Sequence, residues 1–284
     1  MLTGGIANAG AVLRSGRYVL RPANPHSATV HRFLAHLRVT GFAGASEPVG
    51  IDPDGRERLV FIEGAVPVPP FPQWAQTDTA LASIAALMRR LHEAARGFDV
   101  AAATWSTEMA DPDIGSATGP MAEGGLVVCH NDVCLENVVF RDGVAVGLLD
   151  FDFAAPGRPS YDLAQMARMC TPVDGPLDAA RLGWRPGATA PERVRLVADA
   201  YGLDVGGRRE LFEALDRSIA RGGEFVRRRV EAGDAAFVAM WESMGGMARF
   251  DRRRVWWAGV SDRFAAALDR PARAGSLASP PPEG

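Results

Sequence analysis

Between residues 129 and 150 the chain reads CHNDVCLENVVFRDGVAVGLLD and carries His130, Asp132, Asn137 and Asp150 in a mostly apolar setting. LVVC (126–129) and VVF (138–140) have the composition of short strands. RDG (141–143) is a tight-turn signal, and VAVGLL (144–149) returns as the partner strand with Asp150 at its C-terminal end. Asp132, Asn137 and Asp150 therefore sit on adjacent loops and can converge on one point. A carboxylate next to an attacking hydroxyl, with an amide oxygen and a second carboxylate for a hard divalent cation, is a donor set suited to phosphoryl transfer. On this reading Asp132 is the base or orienting group, and Asn137 and Asp150 hold the metal. His130 reads as a brace of the loop, and Asp152 as an orienting or structural carboxylate.

The elements that must position these residues fall into two groups. AVL (11–13) and YVL (18–20) flank a Ser15-Gly16 turn, and PVGI and RERLVFI flank DPDG, which makes two hairpins. Between them PHSATVHRFLAHLRVTG has Val30, Phe33, Leu34 and Leu37 at helical spacing, with Ser27 as its expected N-cap and Gly41 as its stop. EGAVPVPPFPQW (63–74) is too rich in proline for a regular helix or a central strand and marks a boundary. Beyond it, Leu81, Ile84, Leu87, Met88 and Leu91 share one face of a helix capped by Thr77 or Asp78. Residues 103–125 are loop-rich, and helical patterns recur over 160–169, 191–201, 207–231, 234–247 and 252–269. The expected architecture is α+β. A small antiparallel-sheet N-lobe with one helix spans 1–64, a larger mainly helical C-lobe spans 65–270, and 271–284 reads as a disordered tail. A ligand belongs in the crevice between two such lobes.

Composition narrows the function classes. With 284 residues, 47% hydrophobic content and a net charge of −3, the chain has no basic surplus to attract nucleic acid. RRR (227–229) and DRRR (251–254) read as solvated helix faces. No stretch approaches the length of about 20 apolar residues that a membrane span needs. MLTGGIANAG lacks a charged region followed by an apolar run, which with three sparse cysteines leads to the expectation of a cytoplasmic protein. Cys129, His130 and Cys134 lack the second ligand cluster of a structural zinc site. His92 reads as a packing histidine. Nothing in the sequence specifies an oligomeric state.

HNDVCLEN (130–137) matches the spacing of the kinase catalytic loop H-R-D-L-x-x-x-N, with Asn131 for Arg and Val133 for Leu, and DFD (150–152) stands where kinases have D-F-G. The G-x-G-x-x-G, V-A-I-K and A-P-E signatures are absent. The whole run CHNDVCLENVVFRDGVAVGLLDFDFAAPG instead resembles the aminoglycoside phosphotransferase family, the small-molecule branch of the protein-kinase-like fold. That family writes H-G-D-x-x-x-x-N, then a hairpin, then I-D-[WF]-[DE]. YDLA (161–164) resembles its D-L-A segment, in which Asp162 would be a structural hydrogen-bonding group. The likeness covers residues 4–260 in layout and is specific in 127–164.

The resemblance implies a two-lobed kinase-like fold and transfer of the γ-phosphoryl group of ATP, with Mg2+, to a hydroxyl of a small molecule such as an aminoglycoside-like antibiotic or related metabolite. LTGGIANAG resembles the nucleotide loop, where Gly4 and Gly5 would let backbone N–H groups approach phosphate and Asn8 lies at the turn. Arg21 ends the strand that carries the family's phosphate-binding Lys; the chain has no Lys. FIEG (61–64) matches the hinge, so the backbone of Ile62, Glu63 and Gly64 would bind adenine. The helix over 27–39 offers His31 and His36 but no Glu opposite Arg21, so the usual ion pair is expected to be missing. That departure supports an alternative: a pseudokinase that binds nucleotide or metabolite without transfer.

Overall fold

The computed structural model describes residues 11–100, 103–114, 125–187 and 189–271. The glycine-rich run with Gly4, Gly5 and Asn8, and the tail from 272 onward, lie outside the described residues.

The N-terminal part is a four-stranded antiparallel sheet of β1 (Leu13–Ser15), β2 (Tyr18–Pro22), β3 (Pro48–Ile51) and β4 (Arg56–Val60), in the order β1-β2-β4-β3. Helix α1 (Ser27–Val39) lies between β2 and β3 in sequence and buries Val30, Phe33, Leu34 and Leu37, the face that the spacing predicts. Its N-cap is His26 rather than Ser27. The Ser27 hydroxyl instead accepts from the Asn24 N–H at 2.9 Å, so a local turn uses the oxygen that would otherwise cap the helix.

After the proline-rich segment, α2 (Asp78–Ala94) is capped by Thr77, whose hydroxyl accepts from the Ala80 N–H at 3.1 Å. Strand β5 (Val127–Cys129) leads into the catalytic loop, and β6 (Val138–Arg141) and β7 (Val144–Leu148) form the expected hairpin. Then come β8 (Ala155–Gly157), α3 (Pro159–Cys170), α4 (Pro176–Arg181), α5 (Ala190–Tyr201), α6 (Val205–Glu231), α7 (Ala235–Met244) and α8 (Gly246–Leu268). Two elements have no counterpart in the sequence reading. β8 pairs antiparallel with β5 although its sequence is Ala-Pro-Gly, and α4 is a six-residue helix begun by Pro176. Both are too short to carry a period of their own.

One apolar core runs from α1 through α2, the two hairpin strands and α3 to α5, α6 and α8. Burying each Leu or Phe of this core contributes about 1.5–3 kcal/mol. The Phe33 ring of α1 meets Phe98, Trp105 and Phe151 edge-on at 5.3, 6.3 and 6.2 Å, so the N-terminal helix is packed directly against the DFD segment. Among the described residues no helix is long and apolar enough to cross a membrane.

Candidate active site

The loop after β5 is gripped from below by one carboxylate. Asp162, in the first turn of α3 and fully buried, accepts the backbone N–H of His130 and of Asn131, both at 2.8 Å. It also accepts from His92 Nε2 of α2 at 2.9 Å, and His92 Nδ1 meets the Tyr201 hydroxyl of α5 at 2.8 Å. Burial alone would raise the Asp162 pKa, but the His92 hydrogen bond and charge and the loop N–H bonds hold it below the usual carboxylate value. Asp162 is thus an anion that pins the loop, and His92 is its partner rather than a packing residue alone.

His130 braces the same loop. Its Nδ1 accepts the Asp132 N–H at 3.3 Å, which places the ring proton on Nε2, where it is donated to the Leu149 carbonyl at 2.9 Å. The ring lies 4.4 Å from that of Phe151, and burial lowers its pKa, so the imidazole is neutral. Both ring nitrogens are committed, which leaves none for a metal. Cys129 is buried in β5 with its thiol pKa raised by burial, then by Asp162 and Asp111, and is a poor thiolate ligand.

The structure brings Asp132, Asn137 and Asp150 together. Asn137, in the turn before β6, donates from Nδ2 to the Asp132 carbonyl at 2.9 Å and to Asp132 Oδ2 at 3.1 Å. Its own carbonyl accepts the Leu149 N–H at 2.8 Å, which brings the end of β7, and with it Asp150, beside the loop. Asp150 has φ 62° and ψ 69°, and Asn131 has φ 64°, so both flank the site in the left-handed region that costs side-chain-bearing residues energy. Burial, reinforced by the Asp150 charge, raises the Asp132 pKa well above the ordinary carboxylate value. Since Nδ2 faces Asp132, the Asn137 amide oxygen is directed elsewhere. That oxygen and the carboxylates of Asp150 and Asp152 are all hard donors, the set Mg2+ prefers.

Arg21 joins the two halves of the molecule at this point. It is 7% exposed, not a solvated strand end. Its Nη1 bonds Asp150 Oδ1 at 2.7 Å and its Nη2 bonds Asp152 Oδ1 at 2.5 Å. Its Nε ion-pairs with Glu57 Oε1 at 2.5 Å, and Glu57, 0% exposed, reaches His31 Nε2 of α1 through Oε2 at 2.8 Å. The expectation of a missing ion pair is therefore corrected: the acid comes from β4 instead of α1. Arg21 and Glu57 are direct cross-strand partners in the β2–β4 register and so share a face. Burial opposes the Arg21 charge, but the three carboxylates outweigh it and raise the pKa. Asp152 is pushed up to about 6 by burial and by Asp150. One signal for Glu57 was present: RERLV alternates, and Glu57 falls with Leu59 on its buried face.

The segment Ile62 to Gly64 is docked on the β6–β7 hairpin. Gly64 has φ 153°, and a Cβ there would stand 2.5 Å from Val139 Cγ1 and 2.6 Å from the Phe140 carbonyl oxygen. Ala65 and Phe140 exchange two backbone hydrogen bonds of 2.8 Å. The Glu63 carbonyl accepts from Arg141 Nε at 2.8 Å, and its side chain ion-pairs with Arg14, so Glu63 is already engaged. The N–H and carbonyl of Ile62 and the N–H of Gly64 make no backbone hydrogen bond among the described residues.

The chain resembles known proteins in sequence and in fold. The profile of the phosphotransferase enzyme family matches residues 2–197. The trifolitoxin immunity protein of Rhizobium leguminosarum bv. trifolii is 35% identical over 204 residues, 71% of this chain and 73% of that protein. A choline/ethanolamine kinase family protein from Mesorhizobium loti superposes with TM-score 0.60 at 16% identity, covering 94% of this chain and 90% of that one. The gentamicin complex of APH(2")-IIa superposes with TM-score 0.56 at 16% identity, covering 86% and 89%. The fold is that of these kinase-like proteins, and by its profile match over residues 2–197 the chain belongs to the phosphotransferase enzyme family.

Proposed function

We propose that this phosphotransferase moves the γ-phosphoryl group of ATP to a hydroxyl of a small molecule. The observation that carries the reading is the union of Asp132, Asn137 and Asp150 through the Asn137 Nδ2 and Leu149 N–H hydrogen bonds. In the step, the acceptor oxygen bonds the γ-phosphorus as the bond to the β–γ bridging oxygen breaks. ADP leaves with that electron pair, and the hydroxyl proton passes to Asp132, whose raised pKa suits a base. Asn137, through its amide oxygen, and Asp150 would hold Mg2+, which supplies charge neutralisation at the phosphates. Arg21 is positioned to turn from the carboxylates to a phosphate, which its planar fork can bind through two donors. Backbone groups of Ile62, Glu63 and Gly64 would bind adenine, with Gly4, Gly5 and Asn8 as the phosphate loop. The lobes divide at 64/65, and the protein acts in the cytoplasm.

The relative named for immunity to trifolitoxin favours a toxin or antibiotic as acceptor over a primary metabolite. A second reading, a pseudokinase, draws support from Arg21, which engages both Asp150 and Asp152. An ATP-consumption assay over a panel of hydroxyl compounds separates the two. Wild type is expected to consume ATP with a matching acceptor, and Asp132→Ala to lose transfer while keeping its fold by circular dichroism. Binding of ATP with Mg2+ but no turnover on any acceptor would establish the pseudokinase instead.

A further inference from the structure

Away from the catalytic loop, the helical part of the chain contains a cavity that the proposed chemistry does not use. It measures about 570 Å3, inside the range of about 300–1,000 Å3 found for small-molecule sites. None of Asp132, Asn137 and Asp150 lines it. Its walls are the entry to α2 (Gln76, Thr77, Asp78), the turn after α4 (Trp184, Arg185) and the first turns of α5. His92 and Tyr201, which support Asp162, stand further along the same two helices, about 20 Å from Asp78 on α2 and about 12 Å from Arg193 on α5. Gln76, 3% exposed, ties two of the walls together. Its Nε2 donates to the Phe71 and Gly183 carbonyls at 2.7 and 2.8 Å, and its Oε1 accepts the Arg185 N–H at 2.8 Å. The Phe71 and Trp184 rings meet edge-on at 5.4 Å, so the turn is fixed against the start of α2 before any ligand arrives.

One wall residue carries a charge that is poorly answered. Arg193 of α5 lines the cavity and is 8% exposed. Its ion pair among the described residues is with Asp78 at 3.3 Å, long beside the about 2.7–2.9 Å of a charge-assisted bond, and the Asp78 side chain is largely exposed to water. Arg193 Nε and Nη2 are buried with no hydrogen-bond partner among the described residues. Burial lowers the Arg193 pKa, Asp78 and Cys170 oppose that, and the like charge of Arg185 on the neighbouring wall lowers it further. The other acid of the wall, Glu192, ion-pairs with Arg270. Two helix ends add to the positive field. α2, of 17 residues, and α5, of 12, both begin at the cavity, and the N-cap of α5, Thr189, makes no side-chain capping bond.

We propose that this cavity is a second ligand site, which binds a small organic anion through anionic oxygens, those of a phosphate ester or a carboxylate, held by Arg193, Arg185 and the N-terminal ends of α2 and α5. The anion displaces Asp78 from Arg193 Nη1. It draws the fork of Nη1 and Nη2 toward the cavity and off Trp184, whose ring centroid lies 5.8 Å from the guanidinium carbon. The cavity is larger than a bare ion needs, and Pro186 and Leu196 offer apolar wall to the rest of the molecule. The proposal stands apart from the phosphotransferase reading, because none of these groups takes part in transfer.

Calorimetry on the full chain without nucleotide tests this with four sugars that differ at carbon 6: glucose 6-phosphate, glucuronate, glucose and 6-amino-6-deoxyglucose, with inorganic phosphate as the bare anion. At least one sugar anion is expected to bind about tenfold tighter than glucose and than the amine, the size of a charge-assisted hydrogen bond. Added salt should weaken it, and the tighter of the two anions assigns phosphate or carboxylate. Arg193→Gln should bring that anion within about threefold of glucose. Arg193→Lys, which keeps the charge without the fork, should retain part of the difference. Thr189→Trp, at an exposed position on the wall, should abolish the preference by filling the cavity. Thermal melts verify that each variant folds; if Arg193→Gln does not, Thr189→Trp decides alone. The proposal is overturned if neither sugar anion binds, if the amine binds as well as they do, or if inorganic phosphate binds as tightly as both. A preference kept in folded Arg193→Gln or in Thr189→Trp also overturns it, because the anion then sits elsewhere, the active site included.

Discussion

Asp162→Asn is the most informative single change, because one side chain holds both the catalytic loop and its helical support. The carboxylate receives three hydrogen bonds of 2.8, 2.8 and 2.9 Å from His130, Asn131 and His92, with no exposure to water. A hydrogen bond to a charged group contributes about 1.5–3 kcal/mol, so the gross stake is about 5–9 kcal/mol. Asparagine keeps one accepting oxygen but turns an NH2 toward at least one N–H donor, which leaves a net loss of about 3–5 kcal/mol, the range for a broken buried pair. At about 2–4 °C per kcal/mol for a chain of this size, the melting temperature should fall by about 6–20 °C. The pH dependence gives a second readout. The folded pKa of Asp162 lies below the ordinary aspartate value of 3.8. Its stabilisation is therefore present above about pH 4 and is lost as pH falls through the folded value. Urea unfolding between pH 3 and 7 should show that acid slope in wild type and a shallower slope in Asp162→Asn. Turnover measured well below the variant's melting temperature should also drop, because Asn131, at φ 64°, would be free to relax. A loss under about 1 kcal/mol with full turnover would refute the claim that this carboxylate positions the loop.

Glu57 and Asp132 give further tests of the same geometry. Glu57→Gln removes the charge beside Arg21 but leaves Asp150 and Asp152 in place, so the cost should be about 1–3 kcal/mol, below that of a fully orphaned buried charge. The KM for ATP should rise, and a double-mutant cycle with His31→Gln should show coupling of about 0.5–3 kcal/mol; additive effects would mean that the His31–Glu57 contact carries no energy. Since burial and Asp150 raise the Asp132 pKa and the ionised form is the base, kcat/KM should fall on acidification along a limb lying above 3.8. Asp132→Asn, which removes a charge that burial disfavours, should be more stable than wild type at pH 7 while inactive; a destabilised variant, or a limb at or below 3.8, contradicts the reasoning.

What was legible in the sequence, and what was not, divides along a physical line. Asp132, Asn137 and Asp150 could be placed together because a loop and one hairpin connect them, and local turn chemistry determines where a hairpin delivers its ends. The α+β fold and its main helices were legible for a similar reason, since each carries its own period. The positioning residues were legible only in part: the D-L-A resemblance assigns Asp162 its structural role and His130 reads as a loop brace, but the helical partners of Asp162 carry no such signal. His92, Tyr201 and Asp162 come from three helices, and their meeting depends on how those helices cross, which no local pattern encodes. Glu57 shows why a motif can mislead here. A search for the acid at its usual place on α1 finds only histidines, although the electrostatic requirement is met in full. Arg21 needs a desolvated negative charge within reach, and a cross-strand neighbour on β4 supplies it as well as a helix would. The physical constraint is on where the charge stands, and the chain is free to deliver it from any element that passes that point.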